Sequence, residues 1–133
     1  MERELKNDLG DVYFQAEYDQ ESEAVIAHWI GFATTEQLKE GMEAGLSLMK
    51  EKQSNKWIAN AQLMEGGFEE ANDWLEQDWT PRAVAAGLQK VAFVVSQDAF
   101  NEFSTNEYAE RNEDLDNPHF PSLEEAKAWM KTN

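Results

Sequence analysis

The 133-residue chain contains no cysteine, and this absence excludes several kinds of chemistry at once. Without cysteine there are no disulfides, no thiolate nucleophiles and no cysteine-based zinc sites. The chain also has no apolar run that approaches the roughly 18 to 20 residues a membrane span requires. Its amino-terminus, Met1-Glu2-Arg3-Glu4-Leu5-Lys6, is charged and lacks the apolar core of a signal peptide. These absences predict a soluble cytoplasmic protein with no membrane insertion.

Basic residues are scarce, since 11 Lys and Arg stand against 27 Asp and Glu, for a formal net charge of −16 at pH 7. The basic residues are scattered singly, so no local patch overcomes the repulsion of a phosphate backbone or an anionic membrane. We therefore expect no nucleic-acid binding. The acidity is interpreted first as a solubilising surface. The alternative interpretation is an acidic face that meets a basic partner.

The sequence also lacks the spacings that carry catalysis or metal binding. Its two histidines, His28 and His119, stand far apart and form no HExxH pattern. The acidic stretch 114–117 lacks the glycine and terminal glutamate of a calcium loop. Gly66-Gly67 is flanked by glutamates that would repel an anion, and no serine lies in a GxSxG elbow. We expect no catalytic residue, no metal and no cofactor, and a protein that is not an enzyme.

What the chain does contain is an ordered series of strand and helix patterns. Hydrophobic residues make up 41% of it, with five Trp and seven Phe, which is enough to bury a core within a single domain spanning 1–133. Period-two alternation and apolar runs predict four strands. These strands cover 11–19, 23–30, 56–63 and 91–95. The short connection between the first two predicts an antiparallel hairpin.

Capping signals delimit the helices between and after these strands. Thr34 with Gln37, and Ser122 with Glu125, form capping boxes that each open a helix. In the first of these helices Gly41 and Gly45 would allow close approach to the sheet. A second helical region begins near residue 69, and it contains Thr80 as an N-cap before Pro81 and Gly87 as a C-terminal cap. The acidic segment 98–118 is expected to form one or two short helices anchored by Phe100, Phe103 and Tyr108.

This order predicts an α/β fold with a four-stranded mixed sheet, ordered 1-2-3-4, in which only the first strand is antiparallel. Right-handed crossovers place the helices mainly on one face. On the third strand, alternation puts Ile58 and Asn60 on the opposite face. The residues expected beneath the helices are Trp57, Ala59, Ala61 and Leu63 of the strand, together with Leu38, Met42, Leu46 and Met49 of the first helix.

The opposite face would carry an apolar band of Ile26, His28, Ile30, Ile58 and Val94. Left open, such a band would be unusually sticky for a monomer. It could be covered by the acidic segment and the last helix, through Phe103, Tyr108 and Trp129, or by a second copy of the chain. We favour cover from within the chain, and so a monomer over a homodimer, although salt screens the charge repulsion between copies.

Several short motifs, taken in order, carry a resemblance to a known family. The motifs are Tyr18-Asp19, Trp29-Ile30-Gly31, Trp79-Thr80-Pro81, Gly87 before an apolar strand, and the stretch 120–129. Over roughly residues 11–131 the chain resembles the uncharacterised stand-alone branch of the SpoIIAA-like, or STAS-like, small bacterial α/β domains. The resemblance implies a regulatory or protein-interaction domain. The family's phosphorylated serine cannot be carried over, because the corresponding stretch 60–67 contains no Ser, Thr or Tyr.

The predicted function is therefore a non-enzymatic interaction or regulatory domain that lacks the phosphorylation switch and binds an unknown protein partner. The alternative is the binding of a lipid or another small apolar ligand in an aromatic-lined pocket. The resemblance also motivates this alternative, because this branch of the family has a distant likeness to CRAL-TRIO lipid-binding domains. Most of the five tryptophans are expected in the core. The candidate interaction or pocket residues are Trp29, Trp57, Trp79, His28 and Met64.

Overall fold

A computed structural model of the chain describes residues 2–132 and shows an α/β fold built on one six-stranded mixed sheet. The strands lie in chain order across the sheet: β1 (Arg3–Lys6), β2 (Val12–Asp19), β3 (Ala24–Gly31), β4 (Lys56–Met64), β5 (Lys90–Val94) and β6 (His119–Phe120). The pairs β1–β2 and β2–β3 are antiparallel, and β3 to β6 are parallel. No helix between residues 2 and 132 is long and apolar enough to cross a membrane.

The four predicted strands correspond to β2–β5, and their order and directions are as predicted. The predicted number of strands was wrong, because one short strand is added at each edge. The charged residues of β1 pair with β2, so the amino-terminus belongs to the sheet. At the other edge His119 pairs with Phe93 in the two-residue strand β6.

Helices cover both faces of the sheet. The helical elements are α1 (Thr35–Lys52), a 3₁₀ turn (Glu69–Ala71), α2 (Asn72–Trp74), a π-helical turn (Leu75–Trp79), α3 (Thr80–Ala85), α4 (Ala99–Arg111) and α5 (Leu123–Met130). The elements from α1 to α4 pack on one face, which we call the main face, and α5 packs on the other. Both bonds of the capping box at Thr34 are formed. Ser122 caps α5 through the N–H of Glu125, without the reciprocal bond.

Two glycines bring α1 close to the main face. A Cβ placed at Gly45 would lie 2.2 Å from the ring of Trp57, and one at Gly41 would lie 2.5 Å from the ring of Trp29. No real contact is that short, so each tryptophan ring occupies the space that a side chain on α1 would need. The predicted close approach of this helix to the sheet is confirmed.

The predicted register of β4 holds for most of the strand and is wrong at its end. Trp57, Ala59 and Ala61 are buried on the main face as predicted, and Ile58 lies on the other face. Beyond Ala61 a bulge adds one residue to β4, since Asn60 pairs with His28 but Leu63 pairs with Ile30. The extra residue reverses the alternation. Leu63 is consequently 69% exposed, and Met64 is buried in its place.

The second helical region runs on without the predicted break at Thr80. Thr80 has helical angles, and its N–H donates to the carbonyl of Leu75 five residues back, which closes the π-helical turn just before Pro81. The predicted N-cap was wrong, and the Thr80 hydroxyl instead lies 2.8 Å from that of Tyr108. Gly87, with φ of 115°, ends α3 as predicted, because Leu88 N–H donates to the carbonyl of Ala83.

The face opposite the main face is covered from within the chain, as predicted. Ile26, Ile58 and Val94 are fully buried there, and Met130 of α5 packs against them with Trp129 partly buried alongside. Two residues expected in this cover lie elsewhere. Tyr108 packs edge-to-face on Phe93 at the main face, with the ring centroids 5.6 Å apart, and Phe103 is 61% exposed. The preference for a monomer stays a prediction.

Candidate functional site

The most unusual surface of the molecule lies where the central parallel strands end. The strands β3, β4 and β5 finish at one edge of the sheet, and the helical segments that follow them begin there. We call this surface the carboxyl edge and define it as residues 31–36, 62–70 and 95–104. In open α/β sheets this edge is the usual place for binding.

Large apolar side chains are concentrated at the carboxyl edge. Of the six large hydrophobic side chains exposed among residues 2–132, four lie there, and the other two are Leu9 and Val84. The four, which we call the apolar cluster, are Phe32, Leu63, Phe100 and Phe103. Single exposed hydrophobic residues are ordinary, whereas four of six at one edge are a local concentration.

The members of the apolar cluster lie on chain segments that meet at a single turn, residues 64–67. Phe32 lies against Gly66, where a Cβ would come within 2.9 Å of its ring, and Gly66 also has φ of 77°. Leu63 directly precedes the turn, and the carbonyl of Phe100 lies beside Gly67. Phe103 follows Phe100 by one helical turn on α4, so the two rings share a side of that helix. The four side chains therefore come from three chain segments that meet at one turn.

Hydrogen bonds from α4 and the segment before it hold this turn. The Ser96 hydroxyl donates to the carbonyl of Met64 at 2.8 Å, and the Asn101 amide donates to the carbonyl of Gly66 at 3.1 Å. The N–H of Gly66 donates to the Asp98 carboxylate at 3.0 Å, and the N–H of Phe68 donates to the Ser104 hydroxyl at 2.8 Å. The polar backbone groups of the turn are thus largely satisfied by side chains, which fixes its shape.

Two carboxylates in this network are stabilised in their charged form. Asp98 accepts hydrogen bonds from Gly66 and from the first turn of α4, and these bonds hold the pKa of its carboxyl below the ordinary value. The pKa of Glu69 is likewise lowered, chiefly by the hydroxyl of Ser104, which donates to it at 2.7 Å. The hydrogen bonds of the turn therefore favour the ionised form of both groups.

The helix α4 has its polarity reversed relative to an ordinary surface helix. Its buried residues are Asn101, Ser104, Thr105 and Tyr108. Its two phenylalanines, Phe100 and Phe103, are 74% and 61% exposed. The sequence predicted these phenylalanines as anchors of the segment, and that prediction was wrong because the polar side chains of α4 are needed to hold the turn.

The charges at the carboxyl edge all have one sign. Within its three segments there are six acidic residues and no Lys or Arg. The acids are Glu36, Glu65, Glu69, Glu70, Asp98 and Glu102. Any anion that approached the helix N-termini here would meet this negative field, and Thr34 and Asp98 already cap two of those termini. The edge is therefore both apolar and acidic.

Four of the five residues predicted from sequence as a pocket do lie around one cavity. Trp29, Trp57, Trp79 and Met64 line a space of about 50 Å³ between the main face and the helices. Trp57 and Trp79 meet edge-to-face with ring centroids 5.0 Å apart, and the indole N–H of Trp79 donates to the carbonyl of Met42 at 2.9 Å. The other lining residues are also largely apolar. Whether anything binds in this cavity stays a prediction.

The fifth predicted residue, His28, lies on the opposite face of the sheet. Its Nε2 is 2.8 Å from the Glu17 carboxylate, and its Nδ1 is 2.9 Å from the side-chain nitrogen of Asn60. The carbonyl oxygen of Asn60 already accepts from the N–H of Gln62, so the Asn60 amide donates to His28. In this arrangement Nδ1 accepts from Asn60 and Nε2 donates to Glu17. Both ring nitrogens are satisfied, which is typical of a structural histidine.

Between residues 2 and 132 no three His, Asp or Glu side chains lie close enough to form a metal-binding group. No protein-family model, curated protein or solved structure matches this chain. The geometry of the carboxyl edge and of the cavity is therefore the basis on which function can be inferred.

Proposed function

We propose that this chain is a non-enzymatic, STAS-like interaction or regulatory domain that binds a protein partner at its carboxyl edge. The observation that carries the proposal is the reversed polarity of α4, which exposes Phe100 and Phe103 while burying polar residues. Folding alone gives no reason to expose two phenylalanines of one helix to water. A partner that covers the rings of Phe100 and Phe103 would provide that reason.

The size and stiffness of the apolar cluster suit it to binding. Removing one such side chain from water is worth about 1.5 to 3 kcal/mol. Part of that gain is lost to the entropy of association. Because hydrogen bonds from Ser96, Asp98, Asn101 and Ser104 already fix the turn, little further ordering is needed when a partner binds. Clustered aromatic anchors on a rigid support are the usual centres of binding energy in protein interfaces.

The resemblance to STAS-like domains supports the same location. In that family the phosphorylated serine lies at the helix start after the third strand, and the corresponding stretch here, residues 60–67, forms the end of β4 and the turn that follows it. It carries no hydroxyl residue. We therefore propose that binding at this edge is not controlled by phosphorylation of the turn.

The alternative function, binding of a small apolar molecule, is favoured by the cavity that Trp29, Trp57, Trp79 and Met64 line. Its volume of about 50 Å³ limits the ligand. An apolar cavity of about 150 Å³ admits benzene. A lipid would therefore require the helices to separate from the main face. Native mass spectrometry of freshly purified protein tests this alternative, and a co-purified mass of a few hundred daltons would favour it over the proposed function.

The proposal is tested by affinity purification from native lysate with three forms of the protein. The wild type is compared with F100S/F103S, which removes half of the apolar cluster, and with L9S/V84S, which removes the two exposed apolar residues elsewhere. We expect at least one protein that is recovered with the wild type and with L9S/V84S but not with F100S/F103S.

Circular dichroism and urea unfolding must first show that all three forms are folded. A partner recovered equally well with F100S/F103S would place the binding site elsewhere. If no specific partner is recovered with folded wild-type protein, the proposed function loses its support.

A further inference from the structure

We infer that the segment of the partner that docks on the carboxyl edge is cationic as well as apolar, an inference that rests on the proposed function. Six acidic residues and no basic residue lie within the 25 residues that form this edge. All eleven basic residues lie elsewhere in the chain, so the net charge per residue is more negative at this edge than over the rest of the molecule.

Three of these acids are free to meet a partner. Glu36, Glu65 and Glu102 are exposed and make no side-chain hydrogen bond or ion pair within residues 2–132. The other three have internal roles. Glu69 accepts from Ser104, Glu70 accepts from Thr35, and Asp98 holds the turn and caps α4. Each of the three segments of the edge therefore carries one free carboxylate and at least one member of the apolar cluster.

Nearly half of the basic residues lie at the opposite edge of the sheet. Five lysines lie where the parallel strands β4 and β5 begin and where α1 and α5 end: Lys50, Lys52, Lys56, Lys90 and Lys131. Helix dipoles favour lysine at helix ends and glutamate at helix starts, by about 0.3 to 1 kcal/mol each. That preference explains Glu36 and Glu102, but Glu65 precedes the 3₁₀ turn and lies outside any helix. The free negative charge is therefore beyond what the helices require.

Charge complementarity decides among the possible occupants of this edge. A second copy of the chain, docked through the same edge, would bring the same carboxylates against one another within about one Debye length of 8 Å. An anionic membrane or a nucleic acid would be repelled for the same reason. The occupant that fits is a protein segment with apolar residues that contact the apolar cluster. Its Lys or Arg residues would pair with Glu36, Glu65 and Glu102, so it matches both the apolar and the acidic character of the edge.

A random peptide library displayed on phage tests the inference while the partner is still unidentified. The library is selected on the wild-type protein and counter-selected on folded F100S/F103S, so that only peptides that need the apolar cluster remain. We expect the remaining sequences to be enriched in Lys and Arg next to aromatic or aliphatic residues. The recovered peptides are then synthesised, and their affinities are measured at low and physiological salt.

Two matched variants separate local charge from total charge. E36Q/E65Q/E102Q removes the three free carboxylates, and E110Q/E113Q/D114N removes three exposed carboxylates at the far end of α4. We expect the first variant to weaken the selected peptides about three- to ten-fold at low salt, since exposed ion pairs are individually weak. The second should change their affinity less than two-fold, and raising the salt should remove most of the difference.

The results that would contradict the cationic partner differ from those that would contradict the proposed function. If no sequence separates the wild type from F100S/F103S, the carboxyl edge is not a docking surface and the proposed function fails with the inference. If cluster-dependent peptides emerge without enrichment in basic residues, or bind E36Q/E65Q/E102Q as tightly as the wild type, docking stands and the cationic partner is wrong. Wild-type dimers that dissociate in F100S/F103S would identify a second copy as the occupant.

Discussion

Two groups of aromatic residues in this protein have opposite environments. Trp29, Trp57 and Trp79 are at most 5% exposed and pack between the main face and the helices. Phe32, Phe100 and Phe103 are all more than 60% exposed at the carboxyl edge. The first group is accounted for by folding, because burial of such side chains is the main favourable term in stability. The second group gains little from folding, and its exposure supports the proposed binding role of the edge.

The supports of the two groups differ as well. The buried tryptophans are accommodated by an absence of side chains, since Gly41 and Gly45 leave room for two of them on α1. The exposed phenylalanines lie on chain segments that meet at a turn, which is held by the polar side chains of Asp98, Asn101 and Ser104. Packing fixes the positions of the buried tryptophans, whereas hydrogen bonds fix the turn next to the exposed phenylalanines. Substitutions that change only packing, only hydrogen bonding or only an exposed side chain should therefore affect the two groups differently.

The largest effect is expected for Gly45→Ala in the buried group. An exposed Gly-to-Ala change within a helix stabilises by about 1 kcal/mol. Here the added Cβ would overlap the ring of Trp57, which lies 2.2 Å from its position. We expect destabilisation by about 3 kcal/mol, the upper part of the range for overpacking. Urea unfolding measures it, with Ser47→Ala on the exposed side of α1 as the control. A stabilised Gly45→Ala would contradict the close packing.

A smaller loss is expected for Ser104→Ala, which acts on the turn. The fully buried hydroxyl accepts from the N–H of Phe68, so its removal leaves that donor without its partner. The cost should be about 1 to 2 kcal/mol. Asn106→Ala, at an exposed position of α4, is the control. Amide hydrogen exchange should accelerate at residues 66–68 and stay unchanged beneath α1. Equal acceleration at both places would mean that the turn is not a separate unit.

Acid should loosen the carboxyl edge before it affects the buried tryptophans. The folded pKa of Asp98 lies below its ordinary value of 3.8, so its contribution is complete well above pH 3.8 and is lost as the pH falls through the folded pKa. Glu69 behaves in the same way, starting from 4.5. We expect the NMR signals of residues 64–68 to broaden or shift below about pH 4. In Asp98→Asn part of this pH dependence should vanish. A turn unchanged at pH 2.5 would show that these carboxylates do not hold it.

The smallest effect on stability is expected for F100S/F103S. Because both rings are mostly exposed, their loss should change the free energy of unfolding by no more than about 0.5 kcal/mol. L9S/V84S should behave alike. Urea unfolding of both variants measures this. If F100S/F103S alone lowered the free energy of unfolding by 2 kcal/mol or more, the phenylalanines would belong to the core. The distinction between the two aromatic groups would then be wrong.

Much of the fold could be predicted because it depends on local patterns. The alternation of β2 and the apolar runs of β3 and β5 are strong signals, and so is the capping box at Thr34. The edge strands could not be found in this way. β1 is highly charged and is defined only by its pairing with β2, and β6 has two residues. The bulge that exposes Leu63 depends on how β3 and β4 pair, which no pattern within β4 records.

The candidate site was predicted only where residue size was informative. Large aromatic residues on strands are usually buried, and this rule found Trp29 and Trp57, which line the cavity. The same rule failed for Phe100 and Phe103, because α4 uses its inner side for hydrogen bonds to the turn. The signal that could have found them is the spacing of Asn101, Ser104 and Tyr108. Together with Thr105 they follow the helical period along the buried side of α4, next to the two phenylalanines.

The most direct test of the binding role of the carboxyl edge is chemical-shift mapping. A cluster-dependent peptide from the displayed library is titrated into ¹⁵N-labelled wild-type protein at physiological salt. We expect the perturbed amides to fall within residues 31–36, 62–70 and 95–104, while the amides beneath α1 and around His28 remain unchanged. Perturbations centred on β1, on α5 or on the Glu17–His28–Asn60 group, with the carboxyl edge unaffected, would contradict a binding role for this edge.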